Sequence, residues 1–336
     1  MNNKTSAKLE DKDLKSFETN YALLSSAKKE INNLFFGQED VIDQIIITLL
    51  SGGHALIVGL PGLAKTRIVN FLGIIFGLDN KRVQFTPDLM PSDILGTEVL
   101  DESLTQENIF KFIKGPVFSQ LLLADEINRA SPRTQSALLQ SMQEKKVTYA
   151  GKNYALPKPF HVLATQNPIE QEGTYTLPEA QLDRFFMNIN ISYPSIEAER
   201  KILLLSTDDI EKGPENVILA KDLISIQNFI KSMPIGESIF KYILNIIENS
   251  RPASSKVKAI KENVLWGPSP RASLALLAAC RAKAFLDNRF SPSVFDVKTL
   301  IKPILSHRIN LNISAKADNI SIDDLLEELM EKVDVE

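Results

Sequence analysis

Hydrophobic and polar positions follow two regimes along the 336 residues. Over residues 21–50 apolar side chains recur at helical spacing. They are Leu23, Leu24, Ala27, Ile31 and Leu34, then, after a break at Phe36-Gly37-Gln38, Val41, Ile42, Ile45, Ile46 and Leu49. From His54 the texture changes to short unbroken apolar runs separated by helical stretches. The runs His54–Val58, Arg82–Phe85, Gln120–Ala124, His161–Thr165 and Phe185–Ile191 are predicted strands, and Ala64–Gly77 and Arg133–Gln143 predicted helices. Unbroken apolar strands alternating with helices imply an α/β fold with a five-stranded parallel sheet covered on both faces. Two stretches fit no simple crossover and read as insertions. One is Phe85–Lys114, which holds Pro87, Pro91 and Gly96; the other, Lys146–Pro157, has the pattern of a small hairpin.

After Tyr193-Pro194-Ser195 the strand pattern stops. Ala198–Leu205, Leu223–Ile230, Ile239–Ile247, Ala272–Leu286, Val294–Leu305 and Ile322–Val333 are helical by period, and Ser321 with Asp324 reads as a capping pair for the last. The expected organisation is a polar, poorly anchored tail over residues 1–20, an α/β core over 21–195, and a smaller all-helical domain over 196–336. Two such units suit the length.

Composition narrows the functional classes. Lys+Arg total 38 against Asp+Glu 42, a net charge of −4, which gives no basic footprint for nucleic acid. A single cysteine, Cys280, excludes an internal disulfide framework and a four-cysteine zinc site, and it suits a reducing compartment. Met1–Asn20 mixes both charges without an apolar stretch, and no apolar run nears the ~18 residues of a membrane span. A cytoplasmic protein without membrane insertion is expected. The histidines, His54, His161 and His307, are scattered, and two lie in predicted strands, so core roles fit them better than metal binding.

The chemistry begins where the first strand ends. Gly59-Leu60-Pro61-Gly62-Leu63-Ala64-Lys65-Thr66, followed by Arg67 and a helix, has the order of a phosphate loop. In such a loop, backbone N–H groups and the helix N-terminus hold a phosphate. Lys65 would reach the terminal phosphates and Thr66 would ligate Mg²⁺. One departure is Ala64, where the usual pattern has Gly; Ala is expected to keep helical dihedrals there.

Sixty residues after Lys65, an apolar strand ends in Asp125-Glu126. At the C-terminal end of a parallel strand, Asp125 can hold Mg²⁺ and Glu126 can polarise an attacking water. The next strand leads to Asn167-Pro168, where Asn167 serves either a γ-phosphate or an ordinary turn. Arg184, just before the fifth strand, suits a finger reaching a neighbour's nucleotide, or else an ion pair with Asp183 or Glu179. Arg271 starts a helix in the second domain, as a γ-phosphate sensor or a solvated cation.

The order of these parts resembles that of AAA+ ATPases, and the wording is similar to the MoxR family within them. The carriers are Gly59–Thr66 including the alanine, Leu123–Ala130 as the Walker B segment, Ala164–Tyr175 as sensor 1, and Leu177–Phe185 as the arginine-finger segment. Gln84–Val99 resembles a helix-2 insert and Gly267–Ala272 a sensor-2 motif. The likeness spans residues 34–310, with Thr176 standing where Pro is expected and Pro268 where Ala is common. It implies an AAA+ core with a helical lid and an ATP- and Mg²⁺-dependent, hexameric, chaperone-like remodeller. Partners carrying von Willebrand factor A domains, and cofactor or metal insertion, also follow from the resemblance. It implies sensor 1 for Asn167, the trans finger for Arg184 and sensor 2 for Arg271, with Arg129 and Arg133 also near the site. It sets Phe36, Gly37 and Gln38 near the adenine.

Two other readings stand beside this one. A low-turnover nucleotide switch or scaffold is kept open by Ala64. A chelatase-like or DNA-remodelling relative shares the fold, with the acidic balance weighing against DNA. A GTPase is disfavoured because Asn80-Lys81-Arg82-Val83 lacks the Asp of a guanine-reading motif.

Overall fold

The five predicted strands lie side by side in the computed structural model, which describes residues 11–100, 110–169, 173–204 and 213–334. The chain opens with α1 (Asp11–Asn32) and α2 (Glu39–Leu50), then β1 (Ala55–Gly59), α3 (Lys65–Ile75) and β2 (Asn80–Gln84). The first insertion is α4 (Pro91–Leu95) with the paired strands β3 (Gly96–Leu100) and β4 (Phe110–Lys114). β5 (Leu121–Asp125) and α5 (Pro132–Glu144) follow, then the hairpin β6 (Lys146–Tyr149) and β7 (Lys152–Ala155). The sheet is completed by β8 (His161–Gln166), the short α6 (Glu179–Leu182) and β9 (Met187–Ile191).

Beyond β9 come α7 (Ile196–Leu204), α8 (Ala220–Ser232), α9 (Glu237–Asn249), α10 (Lys258–Asn263) and β10 (Val264–Trp266). The chain continues through α11 (Pro270–Leu286), α12 (Val294–Leu305), a 3₁₀ turn at Ser306–Arg308, β11 (Asn310–Leu311), α13 (Ile313–Ala317) and α14 (Ile322–Lys332). Among the described residues this part is not all-helical as expected: the short antiparallel β10–β11 ribbon interrupts the helices.

The sheet order is β2-β5-β8-β1-β9 and every neighbouring pair is parallel. Both faces are covered, which is why the strands read as unbroken apolar runs. Along β5, Leu121 and Leu123 join one core and Leu122 and Ala124 the other. The first of these cores runs from the sheet through α2 and α3 into the helical part, reaching Tyr242, Phe285 and Leu326. The register sets Gln84 beside Asp125 and Val58 beside Gln166. β1, β5 and β8 therefore end on one edge of the sheet, where their loops converge.

Two further expectations are corrected. Residues 1–10 of the expected tail lie outside the described residues, but residues 11–20 belong to α1. Phe17 is buried there, edge-on to Phe285 at 5.2 Å and 5.4 Å from Phe290. Phe17 is the one aromatic ring in residues 11–20, too sparse a signal to stand out in a polar window. Phe85–Lys114 is an insertion as expected: β3 and β4 pair antiparallel, and Phe112 stacks on Tyr154 of the second hairpin at 4.4 Å. At the last helix the Ser321 hydroxyl accepts from the Asp323 N–H at 3.1 Å, without Asp324.

His54 and His161 are buried, in core roles. His54 Nδ1 accepts from the Val162 N–H at 2.9 Å, and His161 sets Nδ1 against the Gly53 carbonyl at 2.9 Å and Nε2 against Gln227 at 3.3 Å. Gln227 in turn donates to the Leu49 carbonyl at 2.7 Å, so this network ties α8 to the sheet's entry edge. No described helix is long and apolar enough to cross a membrane.

Candidate active site

The turn from β1 into α3 sets up the site. Gly62 has φ 84°, and Ala64, the residue before α3, has φ 55° and ψ 18°. Ala64 is therefore left-handed, not helical as expected from its type, a conformation that disfavours any L-residue by roughly 1–2 kcal/mol. Successive left- and right-handed residues turn neighbouring N–H groups to one side and form an anion-binding concavity. A Cβ at Gly62 would meet nothing within 4 Å, so the loop is open on that side. Lys65 Nζ donates to the Gly59 carbonyl, which lays the ammonium along the mouth of the loop.

Asp125 ends β5 with its carboxylate almost fully buried and heavily hydrogen-bonded. Thr165 Oγ1 donates to Oδ1 at 2.5 Å, and Thr66 Oγ1 lies 3.3 Å from Oδ2. Arg82 reaches Oδ2 with Nε at 3.1 Å and Nη2 at 2.7 Å. Glu126 is left-handed at φ 56°, a turn that swings its side chain off the strand line. Its N–H donates to Thr165 Oγ1 at 2.9 Å, while Oε2 accepts from Gln84 at 2.7 Å and Arg129 at 2.9 Å. Asn167, buried at the end of β8, accepts from the Ile169 N–H at 3.2 Å.

Pro61–Arg67, Arg82, Gln84, Asp125, Glu126, Thr165 and Asn167 line one cleft of ≈ 410 Å³. Three cations against two carboxylates suit a polyanionic ligand. Thr66 and Asp125 offer a hydroxyl and a carboxylate side by side, the hard oxygen donors that Mg²⁺ takes together with phosphates. Among the described residues no group of three or more His, Cys, Asp or Glu could hold a metal alone.

Phe36, Gly37 and Gln38 lie beside the loop, not in the cleft. Gln38 Nε2 donates to the Leu63 carbonyl at 3.4 Å. Gly37, at φ 71°, packs where a Cβ would come within 2.5 Å of Ala198. Lys201 of α7 sits 6.0 Å from the Phe36 ring, and Arg67 lies 5.0 Å over Phe71. Gly59 ends β1 and accepts the Lys65 bond, and neither it nor Leu60 lines the cleft.

Arg184 and Arg271 are not brought to this cleft. Arg184 Nη1 donates to the Leu139 carbonyl at 3.3 Å and to Gln143 on α5, not to Asp183 or Glu179. Arg271 is half-exposed and stands 3.7 Å from Asp183. Arg129 serves its own chain by pairing with Glu126, and Arg133 is exposed. Residues 170–172 of the sensor-1 phrase lie outside the described residues.

Sequence reasoning missed Arg82, Gln84 and Thr165. For Arg82 and Gln84 the available signal was the polar residues inside β2, where Lys81, Arg82 and Gln84 stay exposed. It gains meaning only once β2 is paired with β5.

A parallel sheet that gathers a phosphate loop, an acidic pair and a neutral amide on one edge, followed by a helical lid, defines a phosphate-loop ATPase of the AAA+ class. Residues 54–187 match the ATPase family associated with various cellular activities, and residues 257–329 match the AAA lid domain. Chaperone MoxR1 of Mycobacterium tuberculosis is 38% identical over 311 residues, covering 92% of this chain and 81% of that protein. The YeaC protein of Bacillus subtilis is 39% identical over 317 residues, 94% of this chain and 95% of its own. A crystal structure of a candidate ATPase from Cytophaga hutchinsonii superposes with a TM-score of 0.88 at 40% identity, covering 95% of this chain and 97% of that one. The chain belongs to the MoxR family of AAA+ ATPases.

Proposed function

We propose that this chain hydrolyses ATP to ADP and phosphate with Mg²⁺ and uses the cycle to remodel or mature partner proteins. The observation that carries the reading is the gathering of Lys65, Thr66, Asp125, Glu126 and Asn167 on one cleft. Lys65 and the loop N–H groups between Gly59 and Ala64, Pro61 having none, bind the phosphates, with Arg67 at the same mouth. Thr66 and Asp125 would hold Mg²⁺, which when bound neutralises charge on the β- and γ-phosphates. Glu126 accepts a proton from the attacking water, and Asn167 orients that water or the γ-phosphate. Phe36, Gly37 and Gln38 flank the base.

Arg184 acts from a neighbouring subunit and Arg271 from the lid. The placement of Arg184 outside its own cleft supports the first assignment. A shared site of this kind calls for a homo-oligomer, and the family layout favours a hexamer. Similarity to a protein named as a chaperone supports the remodelling role. The proposal extends to a partner with a von Willebrand factor A domain and to work in the cytoplasm, in keeping with a single, buried cysteine, Cys280. It carries the division into core and lid near residue 195, where the sheet ends at Ile191 and α7 begins at Ile196.

The test is ATP turnover against protein concentration, with and without Mg²⁺, for wild type and Glu126→Gln. Turnover per subunit should rise with concentration and fall by ~10²–10⁴ in the variant, the range for loss of a general base, while ATP still binds. Wild-type turnover in Glu126→Gln would overturn the role of Glu126. A second reading, a nucleotide-dependent switch with negligible turnover, draws on the engagement of Glu126 by both Gln84 and Arg129. A flat background insensitive to Glu126→Gln selects it.

A further inference from the structure

The four residues Asp183–Phe186 are gripped from the helical domain at two places. From the start of α11, Ser269 Oγ donates to Asp183 Oδ2 at 2.9 Å, and Arg271 stands 3.7 Å from the same oxygen. From the 3₁₀ turn after α12, Arg308 Nε donates to Asp183 Oδ1 at 2.9 Å, its Nη2 to the Phe185 carbonyl at 2.6 Å, and its Nη1 to the Phe186 carbonyl at 3.3 Å. His307 adds a contact of 3.2 Å to the Phe185 carbonyl. The Arg308 side chain is only 3% exposed, so its charge is committed to this contact and has no water to fall back on.

Between these anchored residues sits Arg184, facing the other way onto α5, with its buried Nε meeting no acceptor among the described residues. Cavities of ≈ 380 and ≈ 250 Å³ are both lined by Asp183 and Arg308, so the segment has room to shift. A swing of the helical domain must carry Asp183–Phe186 with it or strip a buried guanidinium of its partners.

We propose that Asp183 and Arg308 are positioning residues that tie the stance of the helical domain to the setting of Arg184. A change at a subunit's own nucleotide, felt through α11, thereby resets the arginine offered to its neighbour. The inference rests on the reading of Arg184 as a finger acting between subunits, and its test separates the two.

Arg184→Ala subunits keep their cleft but offer no finger; Glu126→Gln subunits offer a finger but do not hydrolyse. Mixing them should restore turnover that neither shows alone. Placing Asp183→Asn in the donor, as Glu126→Gln/Asp183→Asn, should lower the restored rate by about tenfold or more, since displacing a reacting group by about 1 Å costs ~10²-fold. The donor's own site is already inactive, so a purely local role for Asp183 leaves the restored rate unchanged, and that result overturns the coupling. No restoration by the donor with Asp183 intact overturns the finger reading, and the coupling with it. If Asp183→Asn abolishes the donor's thermal transition, Arg308→Lys takes its place. Lysine keeps a cation beside Asp183 but cannot reach the Phe185 and Phe186 carbonyls together, and the same tenfold fall is expected.

Discussion

Acidification from pH 7 to 5 should remove several kcal/mol of stability through buried histidines. Burial pushes the His54 imidazole down to about 3, helped by the nearby His161 and Lys145. Burial likewise pushes His161 to about 4, and partial burial with the adjacent Arg308 charge pushes His307 to about 3. In the unfolded chain each titrates near ~6.5. Below that pH the unfolded state therefore binds more protons than the folded one, and stability falls as the pH drops. The contribution is intact above ~6.5 and is lost progressively down to the folded values. At pH 5 each group is about 1.5 pH units into this window, or about 2 kcal/mol at 1.36 kcal/mol per unit. His54 and His161 together amount to about 4 kcal/mol, and His307 brings the total to about 6, a large share of the ~5–15 kcal/mol that holds most proteins folded. Ordinary carboxylates titrate near ~4, below the pH 7–5 range of the comparison. The assay is urea unfolding at pH 7 and pH 5 at fixed ionic strength. His161→Gln should flatten the fall by about 2 kcal/mol, whatever its own cost. Equal stability at the two pH values would refute the argument.

Three further outcomes follow from single contacts. Thr165→Val removes the hydroxyl that donates to Asp125 and accepts from the Glu126 N–H; it should cost about 3 kcal/mol in urea unfolding and raise the Mg²⁺ concentration needed for turnover. Ala64→Gly relieves a left-handed alanine and should stabilise the chain by up to about 1 kcal/mol, read as a higher urea midpoint, after the glycine entropy cost is set against the strain. Phe17→Ala should cost about 3–5 kcal/mol in the same assay, because the ring is buried against Phe285 and Phe290. A change below about 1 kcal/mol would mean that α1 is not part of the core.

The sheet was legible because both of its faces are covered, so β1, β5 and β8 read as apolar runs without interruption. The cleft residues Lys65, Thr66, Asp125, Glu126 and Asn167 were legible for a related reason: each lies at or just past the end of such a run, where polarity changes abruptly. Arg82 and Gln84 were not. Their partners are Asp125 and Glu126, about forty positions away, and the pairing exists only because β2 adds to the edge of β5. The left-handed turn at Ala64 escaped because alanine gives no sign of positive φ. Arg184 carried a plausible neighbour in Asp183, but the two adjacent side chains leave the backbone in opposite directions, one to α5 and one to the helical domain. Periodicity also could not find the start of α1, which is held by one ring among charged and small polar residues.

The core that runs from one face of the sheet into the helical region limits how this chain can be cut. Ile45, Ile57, Leu72, Tyr242, Leu276 and Phe285 belong to a single apolar body. A fragment ending near residue 195 would bare the faces of α1 and α2 that pack on the helical region, and the complementary fragment would bare the inner faces of α8 and α11. Each would carry an exposed apolar area of the kind that drives aggregation. Limited proteolysis of the intact protein should accordingly release no stable helical domain, and expression of separate halves should succeed only when both are made together.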